Sequence, residues 1–309
     1  MKKDTSHIID PIPHDLLMSE LTKDKLIRTT NKLDNEVYII NHHNAPNVMQ
    51  EIGRLRELTF TLAGGGTGQP IDIDEKDTAE NCYQQLIVYS PEDKVITGGY
   101  RFFDCAKSVD PEQKELSTAH YFKFSEKFVQ DYLPYSIELG RSWINPDFQP
   151  SVNPRKGLFA LDNLWDGLGA IVHTHKHMKY FFGKVTMYTS FNEEAKRAVL
   201  GFMKTYFPDK EGLAIPYEPI YTTVEQHEIV ALTKGLEFKE GLKVLQKYCR
   251  EREENVPPLI SNYMQLSPTM KSFGTAKNKD FGGVEETGIL VTLSDIFDFK
   301  KERHLQGLQ

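Results

Sequence analysis

Residues 135–143, with the sequence Tyr-Ser-Ile-Glu-Leu-Gly-Arg-Ser-Trp, constrain the fold of this chain more than any other segment. Their pattern predicts a β-strand with apolar neighbours. Because side chains along a strand alternate between its two faces, we expect Glu138 on one face and Arg141 on the other. A buried charge is costly unless it is paired or used, so this strand is predicted to border a cleft. For a single strand glutamate, a solvated or ion-paired side chain remains the commoner explanation.

The residues before and after this strand predict a chain in which strands and helices are mixed, which indicates an α/β or α+β fold class. Strands are predicted at residues 36–41, 84–90, 94–103, 136–144, 180–189 and 288–293. Helices are predicted at residues 16–26, 45–60, 121–132, 157–175, 193–206 and 238–252. Four glycines within residues 63–68 predict a loop after the second of these helices.

Composition narrows the class of protein. The 309 residues are 39% hydrophobic and 26% charged, which is typical of a folded protein with one large domain or two ordinary ones. A net charge of −7 offers no general attraction for nucleic acid. Three widely spaced cysteines are too few for a disulfide framework and are typical of the reducing cytoplasm. No apolar segment resembles a signal peptide or a membrane-spanning helix, so a cytoplasmic location is expected.

Residues 153–157, Asn-Pro-Arg-Lys-Gly, lead directly into a predicted helix. Arg155 and Lys156 add positive charge to the free N–H groups and the positive dipole end of a helix start, an arrangement that binds phosphate. The P-loop pattern GxxxxGK[ST] is absent. A simply solvated basic helix start is the commoner explanation of such a pattern, so both interpretations stay open.

Two further clusters contain metal-ligating residue types without a metal-binding pattern. The three histidines of residues 173–177 fall at a helix end, where cations complement the dipole without a metal. The aspartates of residues 72–77 lack the glycine and glutamate spacing of an EF-hand. We therefore expect no metal ion.

Four short motifs occur in the order and spacing of a known family. They are Arg56-x-x-x-Phe60, Asp74-x-x-Asp77, Gly99-Tyr-Arg101 and Glu138-Leu-Gly-Arg141. Together they resemble the acyl-homoserine-lactone synthases and, more closely, the ornithine-lipid and glycine-lipid N-acyltransferases, a hemolysin-like group with the GNAT-type fold. The chain departs from that group at Asn145, where the group has histidine.

The resemblance implies a GNAT-like mixed, mostly antiparallel sheet with splayed central strands flanked by helices, plus a C-terminal extension. The splayed strands would be those at residues 94–103 and 136–144, with the acyl thioester entering between them. It also implies three contiguous parts. These are an N-terminal arm, 1–35, an acyltransferase core, 36–190, and an extension packed on the same domain, 191–309.

The implied activity is N-acyl transfer. A long-chain acyl group would move from an acyl carrier protein or CoA thioester to the α-amine of an amino acid, such as glycine or ornithine, in amino-acid lipid biosynthesis. The thioester is then a co-substrate, and no permanently bound cofactor is expected. Acyl carrier protein is the expected partner, and its acidic surface would need a local basic patch. That patch would comprise Arg155, Lys156, Lys176 and Lys179.

Three alternatives stay open: a GNAT-type acetyltransferase, an enzyme like the acyl-homoserine-lactone synthases, and a non-catalytic acyl-binding protein. The acyl-homoserine-lactone synthases differ from this chain in length, since they usually end near position 200 of it. Peripheral contact with a membrane also stays open.

The resemblance assigns roles by position. Glu138 would remove a proton from the amino acid's ammonium group, and Arg101 and Arg141 would support the site. The donor's phosphate would meet Arg155, Lys156, Gly157 and Leu158. The substrate-binding residues would be Arg56, Phe60, Asp74, Asp77, Phe103 and Trp143.

Overall fold

The computed structural model describes residues 3–110 and 112–305. The helices in it are α1 (His14–Glu20), α2 (Pro46–Ala63), α3 (Glu75–Thr78), α4 (Pro154–Thr174), α5 (Glu193–Tyr206), α6 (Glu228–Leu232), α7 (Phe238–Arg250), α8 (Pro258–Met264) and α9 (Asp298–Leu305). The strands are β1 (Leu26–Thr29), β2 (Glu36–Ile40), β3 (Gln84–Ser90), β4 (Val95–Asp104), β5 (Phe122–Phe124), β6 (Ser136–Ile144), β7 (Tyr180–Met187), β8 (Ala214–Pro216), β9 (Pro219–Ile220), β10 (Lys271–Asn278) and β11 (Val284–Thr292). Short 3₁₀ turns lie at Cys105–Lys107, Leu133–Tyr135, Pro146–Phe148, Val224–Gln226 and Leu293–Asp295, and a π-helical turn lies at Phe128–Tyr132.

The chain divides into two compact units, each assembled from separate segments. Of the described residues, unit 1 contains 3–107, 137–178 and 298–305, and unit 2 contains 108–110, 112–136 and 179–297. The units therefore cut across the three contiguous parts predicted from the sequence, 1–35, 36–190 and 191–309, and that division stays a prediction.

Unit 1 is built on the antiparallel strands β1, β2, β3, β4 and β6, in that spatial order. On one face Leu86 of β3 packs against α4, where a Cβ on Gly167 would come within 2.6 Å of the leucine side chain. A side chain at position 167 is thus excluded by close packing. Gln85, the neighbour of Leu86, points to the opposite face, where it bonds to Asp77 beside α2.

The last described helix, α9, joins unit 1 through a buried carboxylate. Asp166 of α4 accepts a 2.8 Å hydrogen bond from the backbone N–H of Asn31. A second contact of 2.8 Å joins its Oδ1 to Nδ1 of His304 on α9. Residues from the beginning, middle and end of the described chain therefore meet at the carboxylate of Asp166.

Unit 2 contains the antiparallel strands β7, β11, β10 and β9, in that order, and a separate pair of β5 with β8. An aromatic cluster fills one side, where the ring centroid of Phe182 lies 6.0 Å from Phe124 and 5.4 Å from Phe128. Helix α5 contacts α6 and α7. The apolar residues whose amphipathic spacing predicted α5 are buried in unit 2.

Most of the predicted elements are confirmed, and the fold class with them. The prediction of a helix at 121–132 is wrong, because that segment contains β5 and the π-helical turn. The helix predicted at 16–26 ends at Glu20, and Leu26 begins the edge strand β1 instead. The last strand begins at Val284, and its partner β10 was not predicted.

The prediction that the strands at 94–103 and 136–144 splay apart is wrong. They form a ladder along their length, from the pair Asp104 and Ile137 to the pair Gly98 and Ile144. The backbone groups of these two strands pair with each other, which leaves no opening for a thioester between them. Within the described residues, no helix is both long and apolar enough to cross a membrane.

Candidate active site

A cluster of buried charges lies on the α2 face of the unit 1 sheet. Arg56 of α2 places Nε 3.0 Å from Asp72 Oδ2 and Nη1 3.2 Å from Asp77 Oδ2. Arg101 of β4 places Nη1 3.3 Å from the same Asp77 oxygen and 2.8 Å from Asp74 Oδ2. The motif residues Arg56, Asp74, Asp77 and Arg101 are thus brought together.

Arg141 joins this cluster because of a β-bulge. Arg101 pairs with Gly140 and Gly99 pairs with Trp143, so β6 has one more residue than β4 between these pairs. At the bulge Arg141 has a φ of 47°, a left-handed conformation unusual for a side-chain-bearing residue. Its Nε then lies 2.9 Å from Asp72 Oδ2. The prediction that Arg141 faces away from Glu138 is wrong, because the extra residue resets the alternation.

The arginines keep the buried aspartates ionised. Burial raises the pKa of Asp77, but the charges of Arg56 and Arg101 outweigh it and hold that pKa below its ordinary value. Burial likewise raises the pKa of Asp72, and Arg141 and then Arg56 outweigh it. Three arginines and three aspartates make the cluster formally neutral, which is how so many charges are accommodated inside a fold.

Local hydrogen bonds hold the acidic segment in place. Asp74 caps the short helix α3, where its carboxylate accepts from the backbone N–H of Lys76 and Asp77. The Asp77 side chain in turn bonds to the Asp74 backbone N–H at 3.2 Å, and Nε2 of Gln85 donates to Asp77 Oδ1 at 2.9 Å. These hydrogen bonds fix the orientations of the Asp74 and Asp77 carboxylates within the cluster.

Glu138 lies beside this cluster and bonds to a tyrosine. The Tyr83 hydroxyl donates a hydrogen bond to Glu138 Oε2, and each of the two residues is only 1% exposed. The Tyr83 ring centroid is 5.0 Å from Cζ of Arg101 and 5.0 Å from the ring centroid of Phe103. Phe103 is the direct cross-strand partner of Glu138. Sequence reasoning missed Tyr83, for which the signal was only an aromatic residue just before a predicted strand.

The remaining predicted substrate-binding residues are buried aromatics. Phe60 lies one turn after Arg56 on α2, and it is 5% exposed. Trp143 is 3% exposed and pairs with Gly99, where a Cβ would come within 3.1 Å of the indole nitrogen. The absent side chain at Gly99 thus makes room for the indole.

The start of α4 is already partly occupied by protein contacts. The Asn153 side chain accepts from the Lys156 backbone N–H at 3.1 Å, and the Gly157 N–H donates to the Asn153 carbonyl at 2.8 Å. The Lys156 ammonium lies 2.6 Å from Asp93 Oδ1. Gly157 is required by packing, because a Cβ there would come within 2.5 Å of the Pro150 nitrogen.

Other residues at this helix start are accessible. Arg155 is exposed, and Leu158 is 69% exposed. A phosphate site comprising Arg155, Lys156, Gly157 and Leu158 stays a prediction. Among the residues that the structure describes, no three His, Cys, Asp or Glu side chains are arranged to hold a metal ion.

Sequence comparison identifies the family. The chain is 49% identical over 301 residues to a glycine N(alpha)-acyltransferase of Bacteroides thetaiotaomicron, covering 97% of this chain and 89% of that protein. It is 47% identical over 302 residues to a glycine N(alpha)-acyltransferase of Phocaeicola vulgatus, covering 97% of this chain and 93% of that protein. The chain belongs to the glycine N(alpha)-acyltransferase family. Membership confirms the prediction that it is an acyltransferase enzyme.

The GNAT assignment has separate support, since residues 55–155 of this acyltransferase match the acetyltransferase (GNAT) domain model. This range begins just before Arg56 and includes Glu138. Two solved structures are also similar. The acyl-homoserine-lactone synthase LasI gives a TM-score of 0.42 at 13% identity, covering 88% of this chain and 94% of that chain. The CoA-dependent acyl-homoserine lactone synthase MesI gives 0.34 at 10% identity, covering 87% and 94%.

Proposed function

We propose that this acyltransferase transfers a long-chain acyl group from an acyl carrier protein or CoA thioester to the α-amine of glycine. The observation that carries the proposal is 49% identity, over 97% of the chain, to a protein named glycine N(alpha)-acyltransferase. The product, an N-acyl amino acid, would be a step in amino-acid lipid biosynthesis. The reaction would take place in the cytoplasm, with peripheral contact at the membrane that receives the lipid.

Glu138 is the proposed base. An α-ammonium group is not nucleophilic at neutral pH, so a carboxylate must take its proton, directly or through a water. Glu138 passes this first proton to water, and the free amine attacks the thioester carbonyl. As the new C–N bond forms, Glu138 takes a second proton from the nitrogen, and the C–S bond breaks to release the thiolate of the donor. The second proton passes from Glu138 to that thiolate, which leaves the neutral amide and returns the carboxylate to its starting state.

The bulge on β6 supports a second element of this mechanism. A bulge interrupts the regular ladder and changes the direction in which the local backbone N–H groups point. Preorganised N–H groups stabilise the negative charge that develops on a carbonyl oxygen under attack. We assign the oxyanion contact to the backbone near Gly140 and Arg141, whose position is fixed by the ion pair of Arg141 with Asp72.

The substrate positions follow the earlier assignments. Arg101 and Arg141 support Glu138 through the charge cluster, and the donor's phosphate meets the start of α4 from Arg155 to Leu158. The amino-acid and acyl groups are bounded by residues from α2, the acidic segment, β4 and β6. These residues are Arg56, Phe60, Asp74, Asp77, Phe103 and Trp143.

The test is an assay of the purified chain with palmitoyl-acyl carrier protein or palmitoyl-CoA. Glycine, serine and ornithine are offered separately, thiol release is followed continuously, and the products are identified by mass spectrometry. We expect release that depends on glycine and yields N-palmitoylglycine. Release without any amino acid, or a clear preference for ornithine, would overturn the proposal. The relative kcat/KM of the two thioesters identifies the donor.

A further inference from the structure

We propose that Tyr83 is a positioning residue for Glu138, an inference that rests on the proposed function because it takes Glu138 as the base. Tyr83 touches none of the reacting atoms in this assignment. Its hydroxyl holds the glutamate carboxylate in one orientation. A base that is ready before substrate binds needs no reorganisation during the reaction.

The geometry supports this role. Tyr83 lies just before β3, Glu138 lies on β6, and β4 separates them, so the hydrogen bond spans the neighbouring strand. The tyrosine is itself anchored at both ends. Its backbone N–H donates to the Lys76 carbonyl at 2.9 Å, and its ring packs on Phe103. A glutamate has several side-chain rotamers, and a fixed donor selects one of them.

The charges support it as well. A hydrogen bond donated to a carboxylate favours the charged form, which is the form that accepts a proton. Arg101 lies over the Tyr83 ring, with Cζ 5.0 Å from the centroid. A cation at this position makes the phenol a stronger donor, because it stabilises negative charge drawn toward the ring and its oxygen. The charge cluster thereby acts on Glu138 through the tyrosine.

The experiment compares Tyr83→Phe with a matched control, Tyr89→Phe. Tyr89 is a buried β3 tyrosine six residues after Tyr83, and its hydroxyl contacts His14 Nε2 at 2.8 Å. With glycine and palmitoyl thioester, we expect Tyr83→Phe to lower kcat about ten- to hundredfold, while the KM for glycine changes less than about twofold. Tyr89→Phe should leave both kcat and the KM for glycine unchanged.

A double-mutant cycle separates positioning from a general loss of structure. In the Glu138→Gln background, adding Tyr83→Phe should lower the residual rate less than about twofold, because the group that the tyrosine acts through is gone. Full additivity, or a Tyr83→Phe enzyme with wild-type kcat, would overturn the role of Tyr83 alone. A wild-type chain that acylates no amine would overturn the proposed function, and the role of Tyr83 with it. Melting temperatures verify that each variant is folded.

Discussion

Arg56 and Asp77 form a fully buried ion pair, in which Nη1 lies 3.2 Å from Oδ2 and both side chains are 0% exposed. It joins helix α2 to the acidic segment that precedes β3. Two buried charges are stable together, but either one alone is an uncompensated charge in a medium of low polarity. The pair therefore makes the architecture of the site sensitive to single neutral substitutions.

Replacing Asp77 with asparagine is expected to lower the free energy of unfolding by about 3–5 kcal/mol, because it leaves Arg56 and Arg101 short of negative charge. Urea denaturation measures this change. The control is Asp93→Asn, which breaks a solvent-accessible pair with Lys156 and should cost less than about 1 kcal/mol. Equal losses in the two variants would contradict the importance assigned to the buried cluster.

Stability should fall in acid. The pKa values of Asp72 and Asp77 are lower in the folded chain than their ordinary values. Their contribution is therefore complete above an unfolded-state pKa of about 4 and is lost as the pH falls toward the folded-state values. We expect the urea midpoint to drop between about pH 5 and pH 2, and the Asp77→Asn variant to show a shallower slope. A midpoint independent of pH over this range would refute the expectation.

Glu138→Gln should lower kcat by about 100- to 10,000-fold with an unchanged fold, because the amide keeps the shape but cannot accept the proton. The matched control is Glu286→Gln in unit 2. Glu286 is also a strand glutamate, 4% exposed, and it bonds to Thr186 and Asn278. Circular dichroism and thiol-release kinetics are measured for both. Full activity in Glu138→Gln would end the assignment of this residue as the base.

Arg155→Ala combined with Lys156→Ala should raise the KM for the acyl donor by about tenfold, with less change in kcat. Of the single variants, Arg155→Ala should account for most of the effect, because Lys156 is already paired with Asp93. Lys243→Ala, an exposed lysine of α7, serves as the control. If the double variant has an unchanged KM, the donor binds elsewhere.

Gly66→Ala should destabilise the chain by about 2–4 kcal/mol. Gly66 has a φ of 89°, and a Cβ there would come within 2.7 Å of Thr61 Oγ1 and 2.9 Å of Glu57 Oε1. Gly68→Ala measures the cost of the positive φ alone, because Gly68 has a φ of 71° with no atom within 4 Å of its Cβ position. We expect Gly68→Ala to lower the free energy of unfolding by about 1–2 kcal/mol. Similar urea midpoints for the two variants would show that the close contacts at Gly66 add nothing to the cost of the substitution.

The sequence was sufficient to predict the regular elements around the site. Val48, Ile52 and Leu55 recur at helical spacing, and all three are buried along α2 as expected. The strand carrying Glu138 was predicted with its observed bounds, Ser136 to Ile144. These elements are predictable because their patterns depend on local periodicity, which the choice of tertiary partner does not change.

Features that depend on register were not predictable. Nothing local indicates that Arg141 adopts a positive φ, since the bulge arises only when β6 is paired with β4. The hydrogen bond of Tyr83 to Glu138 likewise requires that β3, β4 and β6 be adjacent. The ion pair of Lys156 with Asp93 joins two segments that were interpreted separately. Each of these contacts is a consequence of topology.

The bonds of Asp166 to Asn31 and His304 have a consequence for biosynthesis. Translation proceeds from the N-terminus, so Glu138 and its neighbouring strands emerge before residues 179–297, and α9 emerges after all of them. Until then, the nascent unit 1 carries a core acid that lacks its histidine. Residues 298–305 therefore join unit 1 only after residues 179–297 have been synthesised, and a fragment limited to 36–190 would lack both residues that hydrogen-bond to Asp166.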